Sequence, residues 1–277
     1  MNSFARFTSK IQRQASIVLA ISEFDRRRKA ASSPIGSWEA LVQPLQLMLF
    51  FIVMRVGFGS LRGSNRYAAG GSTDMYFNIV IFMATGFCIV FLFRNVALKA
   101  LSGLKLRSPL YFSRVSPLDI LLGLSLNDVR ALATLSLGVF AISWYFTWDF
   151  RLDSPGLAIV SYSLTVLMAI GFGLCVVFLG NLNKIILKII RRIMQRIIIF
   201  TSGIFFATFE IPAPVRPFIT WNPILHGVEL FRHAMNNSYP IPDISLSYLA
   251  TCSIITFSFS LILYRTNESL LLEVNDD

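Results

Sequence analysis

Long apolar runs dominate this chain, with few of the amphipathic stripes a soluble helical domain needs. Runs long enough to cross a bilayer fall at about 38–60, 74–93, 131–148, 156–179 and 246–264. About 20 apolar helical residues cover the hydrocarbon thickness, so each of these is read as a crossing. The first carries Gln43 and Pro44 early and Arg55 near its far end, where a guanidinium can snorkel to the interface or face a polar lumen. Trp144, Tyr145 and Trp148 form an aromatic belt at the outer end of the third. Gly171 and Gly173 in the fourth allow a close helix approach.

Two stretches break this pattern. Residues 1–34 place Phe4, Phe7, Ile11 and Val18 at near-helical spacing, with Arg6, Lys10 and Arg13 on other faces. That predicts a basic amphipathic helix lying on anionic lipid, closed by Arg26-Arg-Arg-Lys29. The second stretch begins with an isoleucine-rich helix carrying Lys184, Lys188, Arg191, Arg192 and Arg196, in which Lys184, Lys188, Arg191 or Arg192, and Gln195 recur on one face. Its uncharged continuation, 197–209, would cover only roughly 20 Å of the about 30 Å needed. Pro212, Pro214 and Pro217 follow, and then a second short half-apolar segment, 218–232. Two half-crossings imply backbone that enters the membrane only where protein or water shields it, so re-entrant helices are expected over 207–242. Within them Glu229 and Arg232 stand three apart and can pair on a helix.

The expected fold is therefore an all-α polytopic membrane protein. It has an N-terminal interfacial helix (1–34), a transmembrane region over 35–265 and a tail at 266–277. Six membrane elements are expected, the fifth being the basic helix with its broken continuation. The connection 94–130 is expected to be the longest inward-facing loop. In it Pro109 and Pro117 bracket a small aromatic-bearing helix lying across the membrane axis.

Composition sharpens this reading. Of 277 residues, 55% are hydrophobic and only 14% charged, which excludes an ordinary soluble domain. A net charge of +10 could suggest nucleic acid. Most of the basic residues, however, lie before the first crossing, in 94–130 and in 181–196, which is the positive-inside asymmetry. Both termini are accordingly expected in the cytoplasm. Cys88, Cys175 and Cys252 share no metal-like spacing and are read as small buried hydrophobes. His226 and His233 have no acidic or thiol ligand at a metal spacing, and there is no GxxxxGK[ST] loop and no nucleophile–base set. An enzyme acting on lipid-linked sugars would have only Asp119 and Asp128 as inner-side acids, and a channel or secondary transporter would lack intramembrane carboxylates. A conduit for a large amphipathic cargo fits better. On that reading Arg192 and Arg196 hold an anionic lipid headgroup, and Lys188 lies on the same helix face.

The layout then resembles a known family. A basic amphipathic start, the run Ser-Arg-Val-Ser-Pro-Leu-Asp at 113–119 and the run Trp-Asn-Pro-Ile-Leu-His-Gly-Val-Glu-Leu-Phe-Arg at 221–232, with Tyr248 beyond, are similar to the KpsM-like permease subunits of type-2 ABC exporters for capsular polysaccharide. The resemblance implies a homodimer in the bacterial inner membrane carrying a lipid-linked polysaccharide. It also implies a separate KpsT-like ATPase subunit, which holds the ATP and Mg, so that this chain binds no cofactor. A KpsE-like periplasmic co-polymerase is a further implied partner. On the family pattern Arg107, Tyr111, Arg114 and Asp119 contact the ATPase. Arg55, Lys188, Arg192, Arg196 and Trp221 line the cargo path, flanked by the first and fifth crossings. Asn222, His226, Glu229 and Arg232 belong to the re-entrant helix. O-antigen or teichoic-acid polymers are the alternative cargo for the same architecture.

Overall fold

The computed structural model describes residues 2–32, 79–103, 115–147, 152–182 and 184–266, with isolated positions between 42 and 53. Among these residues every regular element is helical. The elements are α1 (Asn2–Ser32), α2 (Ile79–Gly103), α3 (Pro117–Thr147), α4 (Pro155–Leu182) and α5 (Lys184–Thr201). A 3₁₀ turn (Thr208–Glu210), α6 (Pro217–Thr220), α7 (Pro223–Met235) and α8 (Leu246–Thr266) follow. Among the described residues, four helices are long and apolar enough to cross a membrane, over Ile81–Leu98, Leu118–Gly138, Pro155–Leu179 and Leu246–Thr266. The expected first crossing lies almost wholly outside the described residues, as do Arg55, Arg107, Tyr111, Arg114 and residues 267–277.

Helix α2 is the axis of the bundle. Phe82, Ile89, Phe91, Leu92 and Val96 are all buried, because α3, α4 and α7 pack around it. Helix α8 lies along α4, and Gly171 makes that contact possible. A Cβ there would stand 2.7 Å from Phe257 Cα, so any larger residue would push the two backbones apart.

The connection expected over 94–130 is much shorter than its charges suggest. Helix α2 runs on to Gly103, and α3 already begins at Pro117. The cause is a capping box at Ser116-Pro-Leu-Asp119. The Asp119 amide donates to Ser116 Oγ (3.2 Å), while the Ser116 amide donates back to Asp119 Oδ2 (3.0 Å). Proline at the first helical position fits, since its missing N–H would have had no helical partner. Among the described residues, an apolar window long enough to cross therefore opens already at Leu118 (Leu118–Gly138), ahead of the expected start at 131.

Asp119 can lie within that helix because α1 packs beside its first turns. Ile21 meets Ile120 and Leu124, and Gly123 lets α1 come close, a Cβ there being 2.8 Å from Ile21 Cγ2. A polar seam runs along the contact. Gln14 Nε2 donates to Asp119 Oδ1 (2.7 Å), Ser22 Oγ to Asn127 Oδ1 (2.9 Å), and Arg130 Nη1 to Ser22 Oγ (3.2 Å). Asn127 Nδ2 also reaches Asp25, whose carboxylate pairs with Lys29 at 2.9 Å. Part of the apolar face expected to lie on lipid is thus spent on α3, although Leu19 and Phe24 stay exposed. Phe4, Phe7 and Ile11 are outside the described side chains. Near the end of α1, the Arg26 and then the Arg27 guanidinium bond Glu23 and hold its carboxyl below the usual range.

Candidate functional site

Helix α5 stops at Thr201, and the backbone then turns sharply. Gly203 has φ +76, a conformation that favours glycine, and a Cβ there would also stand 2.4 Å from Leu225 Cδ1. The turn leaves carbonyls directed into the bundle with no helix to continue. These are groups that must find donors in an apolar setting.

Arg232 supplies the donors. Its guanidinium is 0% exposed and donates to Gly203 O (2.8 Å), Ile204 O (3.3 Å) and Phe206 O (3.4 Å). It also reaches Phe82 O (3.0 Å) and Thr85 Oγ1 (3.3 Å) on α2, and its Cζ lies 3.6 Å from the centre of the Phe82 ring. Glu229, also 0% exposed, balances the charge at 2.9 Å and accepts from Thr208 Oγ1 at 3.0 Å. The spacing-based pairing of Glu229 with Arg232 is therefore present. Gly86 keeps room for it, since a Cβ there would be 2.9 Å from Ile204 Cα and 3.0 Å from Arg232 Nη2. One guanidinium thus ties α2, the broken segment after α5, and α7.

Helix α7 is fixed at both ends as well. At its start Asn222 is the N-cap, with Oδ1 accepting from the Ile224 amide (3.0 Å) and Nδ2 donating to Thr201 O (3.2 Å). Pro223 fits the first helical position. At its far end the Ser154 amide donates to Ala234 O (2.9 Å), and the Asn237 amide to Asp153 Oδ2 (2.9 Å). In between, Gly227 lies against Thr165 of α4. The helix therefore runs antiparallel to the first part of α4, from Thr165 back to Ser154. His226 braces the next turn. Its Nδ1 accepts from the Ser245 amide (3.0 Å), so Nε2 carries the proton and donates to Thr220 O (2.6 Å). Its ring lies 4.7 Å from that of Tyr248, whose hydroxyl donates to Trp221 O at 2.6 Å.

The other predicted residues separate from this group. Lys188 and Arg192 are exposed on α5 among exposed Ile185, Ile189, Ile193 and Ile197. The Arg196 side chain lies outside the described ones. Trp221 is 70% exposed and Phe218 77%, and together they edge a mainly apolar crevice of about 480 Å³ lined chiefly by α5, α4 and the segment 218–224. Asp119, expected to contact the ATPase, is 1% exposed, and its carboxylate is engaged by Ser116 and Gln14. Sequence reasoning missed Thr85, Thr201, Thr208 and the α1–α3 seam. Only the Ser116-x-x-Asp119 box had a readable local signature.

Residues 19–236 match the family described as ABC-2 type transporter. The chain is 26% identical over 193 residues to the polysialic acid transport protein KpsM of Escherichia coli, covering 69% of this chain and 74% of that protein. It is 25% identical over 235 residues, 83% of each chain, to the capsule polysaccharide export inner-membrane protein BexB of Haemophilus influenzae. The corresponding protein CtrC of Neisseria meningitidis serogroup B is 25% identical over 228 residues, 82% of each. Since the matched stretch reaches from α1 to the end of α7, the chain belongs to the ABC-2 type transporter family.

Proposed function

We propose that this chain is the permease subunit of an ATP-driven exporter that moves a lipid-linked capsular polysaccharide across a bacterial inner membrane. The observation that carries this reading is the similarity, over most of the chain, to proteins named for capsule polysaccharide export and polysialic acid transport. Two copies enclose the path. A KpsT-like subunit hydrolyses ATP with Mg, this chain binding neither, and a KpsE-like co-polymerase receives the polymer in the periplasm. The ATPase docks at the segment joining α2 to α3, where Arg107, Tyr111 and Arg114 are the proposed contacts.

The arrangement of α7 supports the re-entrant part of this reading. A helix that starts beside Thr201, at the broken end of α5, and returns to the level of Ser154 need not cross the bilayer. Its packing leaves the exposed rings of Trp221 and Phe218 free to meet cargo. Arg55, Lys188, Arg192 and Arg196 line the way in for the lipid anchor, between the first and fifth crossings.

Deleting the gene in its host and comparing surface polymer with polymer held inside the cell tests the function. Export loss with internal accumulation, restored by the native chain, is the expected result, together with a nucleotide-binding subunit co-purifying in equal amount. Unchanged surface polymer in the deletion strain overturns the proposal.

A further inference from the structure

Helix α6 is a single turn, and it ends with nothing to continue it. The last carbonyls of any helix lack donors within it and must be met by side chains or water. Here side chains from two other helices meet them. His226 of α7 donates to Thr220 O at 2.6 Å, and Tyr248 of α8 donates to Trp221 O at 2.6 Å. The two rings lie against each other, with centres 4.7 Å apart. The Ser245 amide, just before α8, holds the imidazole from its other side at 3.0 Å. One imidazole and one phenol thus grip the two peptide groups that flank the Trp221 Cα.

What they hold is an exposed ring. Trp221 is 70% exposed, so packing does little to aim its indole, and the backbone must do it instead. Holding both peptide planes fixes φ and ψ of Trp221, at −68 and −15, and with them the direction of its Cα–Cβ bond. Tyr248 is itself 37% exposed, and a hydrogen bond so near the surface adds little to stability. What it contributes is position, because a ring already in place loses less freedom when a ligand stacks on it. We infer that His226 and Tyr248 are positioning residues, which hold Trp221 as a ready face for stacking on a sugar ring of the transported polymer. The broad, electron-rich face of an indole suits the C–H groups of a sugar. That the ligand is a polysaccharide rests on the capsule reading, whereas the restraint on Trp221 rests on these hydrogen bonds alone.

The full-length chain carrying Trp38→Phe, Trp144→Phe and Trp148→Phe keeps Trp221 as its single tryptophan and serves as parent. Its fluorescence anisotropy decay in lipid nanodiscs reads the motion of the ring. Titration with polymer extracted from the host's surface reads binding. In Tyr248→Phe a fast component of ring motion should appear that the parent lacks, while the unfolding midpoint stays put. Half-saturation should then need about five-fold more polymer, the worth of one hydrogen bond. His226→Gln keeps a donor toward Thr220 O and should stay close to the parent in both readings. His226→Asn keeps only the acceptor for the Ser245 amide and should follow Tyr248→Phe. Unchanged anisotropy decays in Tyr248→Phe and His226→Asn overturn the inference, and so does a loosened ring with unaltered polymer binding. A parent whose Trp221 does not respond to polymer overturns the cargo assignment, and with it the role inferred here, whatever the ring does in the variants.

Discussion

Helices α5 and α7 look alike as sequence and behave in opposite ways. Each sets cations among apolar residues at helical spacing. In α7, 11 of 13 residues are buried, and Arg232 lies at the centre of the bundle. In α5, Lys188 and Arg192 stay at the surface, and so do the isoleucines beside them. The difference lies in the neighbouring backbone, not in the side chains. The chain breaks at Gly203 and presents the carbonyls of residues 203, 204 and 206, so a buried guanidinium finds acceptors already in place and Glu229 needs only to balance the charge. An intact helix such as α5 uses its own carbonyls and offers a cation nothing inside. Burial of the Arg232 charge follows the broken backbone beside it.

The strongest way to break this contrast is Arg232→Leu. It leaves Glu229 uncompensated and the turn carbonyls without their donor, a loss of roughly 3–5 kcal/mol. A large fall in the detergent unfolding midpoint, or failure to recover folded protein, checks it. Adding Glu229→Leu tells the two roles apart. Were Arg232 only half of an ion pair, the double variant would regain most of the loss. As a carbonyl clamp, it is expected to stay destabilised. Glu229→Gln alone should cost less, about 1–2 kcal/mol, because Thr208 and Arg232 can still donate to the amide oxygen.

Asp119→Ala tests the same rule where the charge sits at a helix start. It removes the Ser116 cap and the Gln14 latch together, so a loss of about 1–3 kcal/mol and faster proteolysis of α1 are expected. Asn222→Ala removes a half-buried cap and its bond to Thr201, for about 1 kcal/mol. Asn222→Asp should restore the cap but not the Thr201 contact, and thermal unfolding of the two variants side by side measures each part.

The sequence was informative where one element suffices to read it. Apolar runs marked the helices because crossing length is a local property, and the spacing of Glu229 and Arg232 revealed their pairing for the same reason. It misled where a distant partner decides. The carboxylates of Asp119 and Asp128 looked like loop residues, since nothing nearby in sequence announces that α1, about a hundred residues earlier, lies against that helix. The amphipathic pattern of α1 was real, but a stripe of apolar residues does not say whether lipid or another helix will cover it. Thr85 became a partner of Arg232 across 147 residues, with no periodicity to signal it.

The smallest stability effect gives the sharpest form of the contrast. Lys188→Gln with Arg192→Gln removes two exposed cations that cap no carbonyl of a broken turn, so the unfolding midpoint should hold to within about 0.5 kcal/mol. If α5 faces the entering lipid headgroup, transport should nevertheless fall several-fold, because each cation near an anionic surface is worth about 1 kcal/mol. Measuring both on one preparation separates the helices by kind. Arg232 variants lose activity with their fold, whereas the α5 variant keeps the fold and loses activity. Equal transport in the α5 variant and the native chain would remove Lys188 and Arg192 from the path and leave them as topology signals.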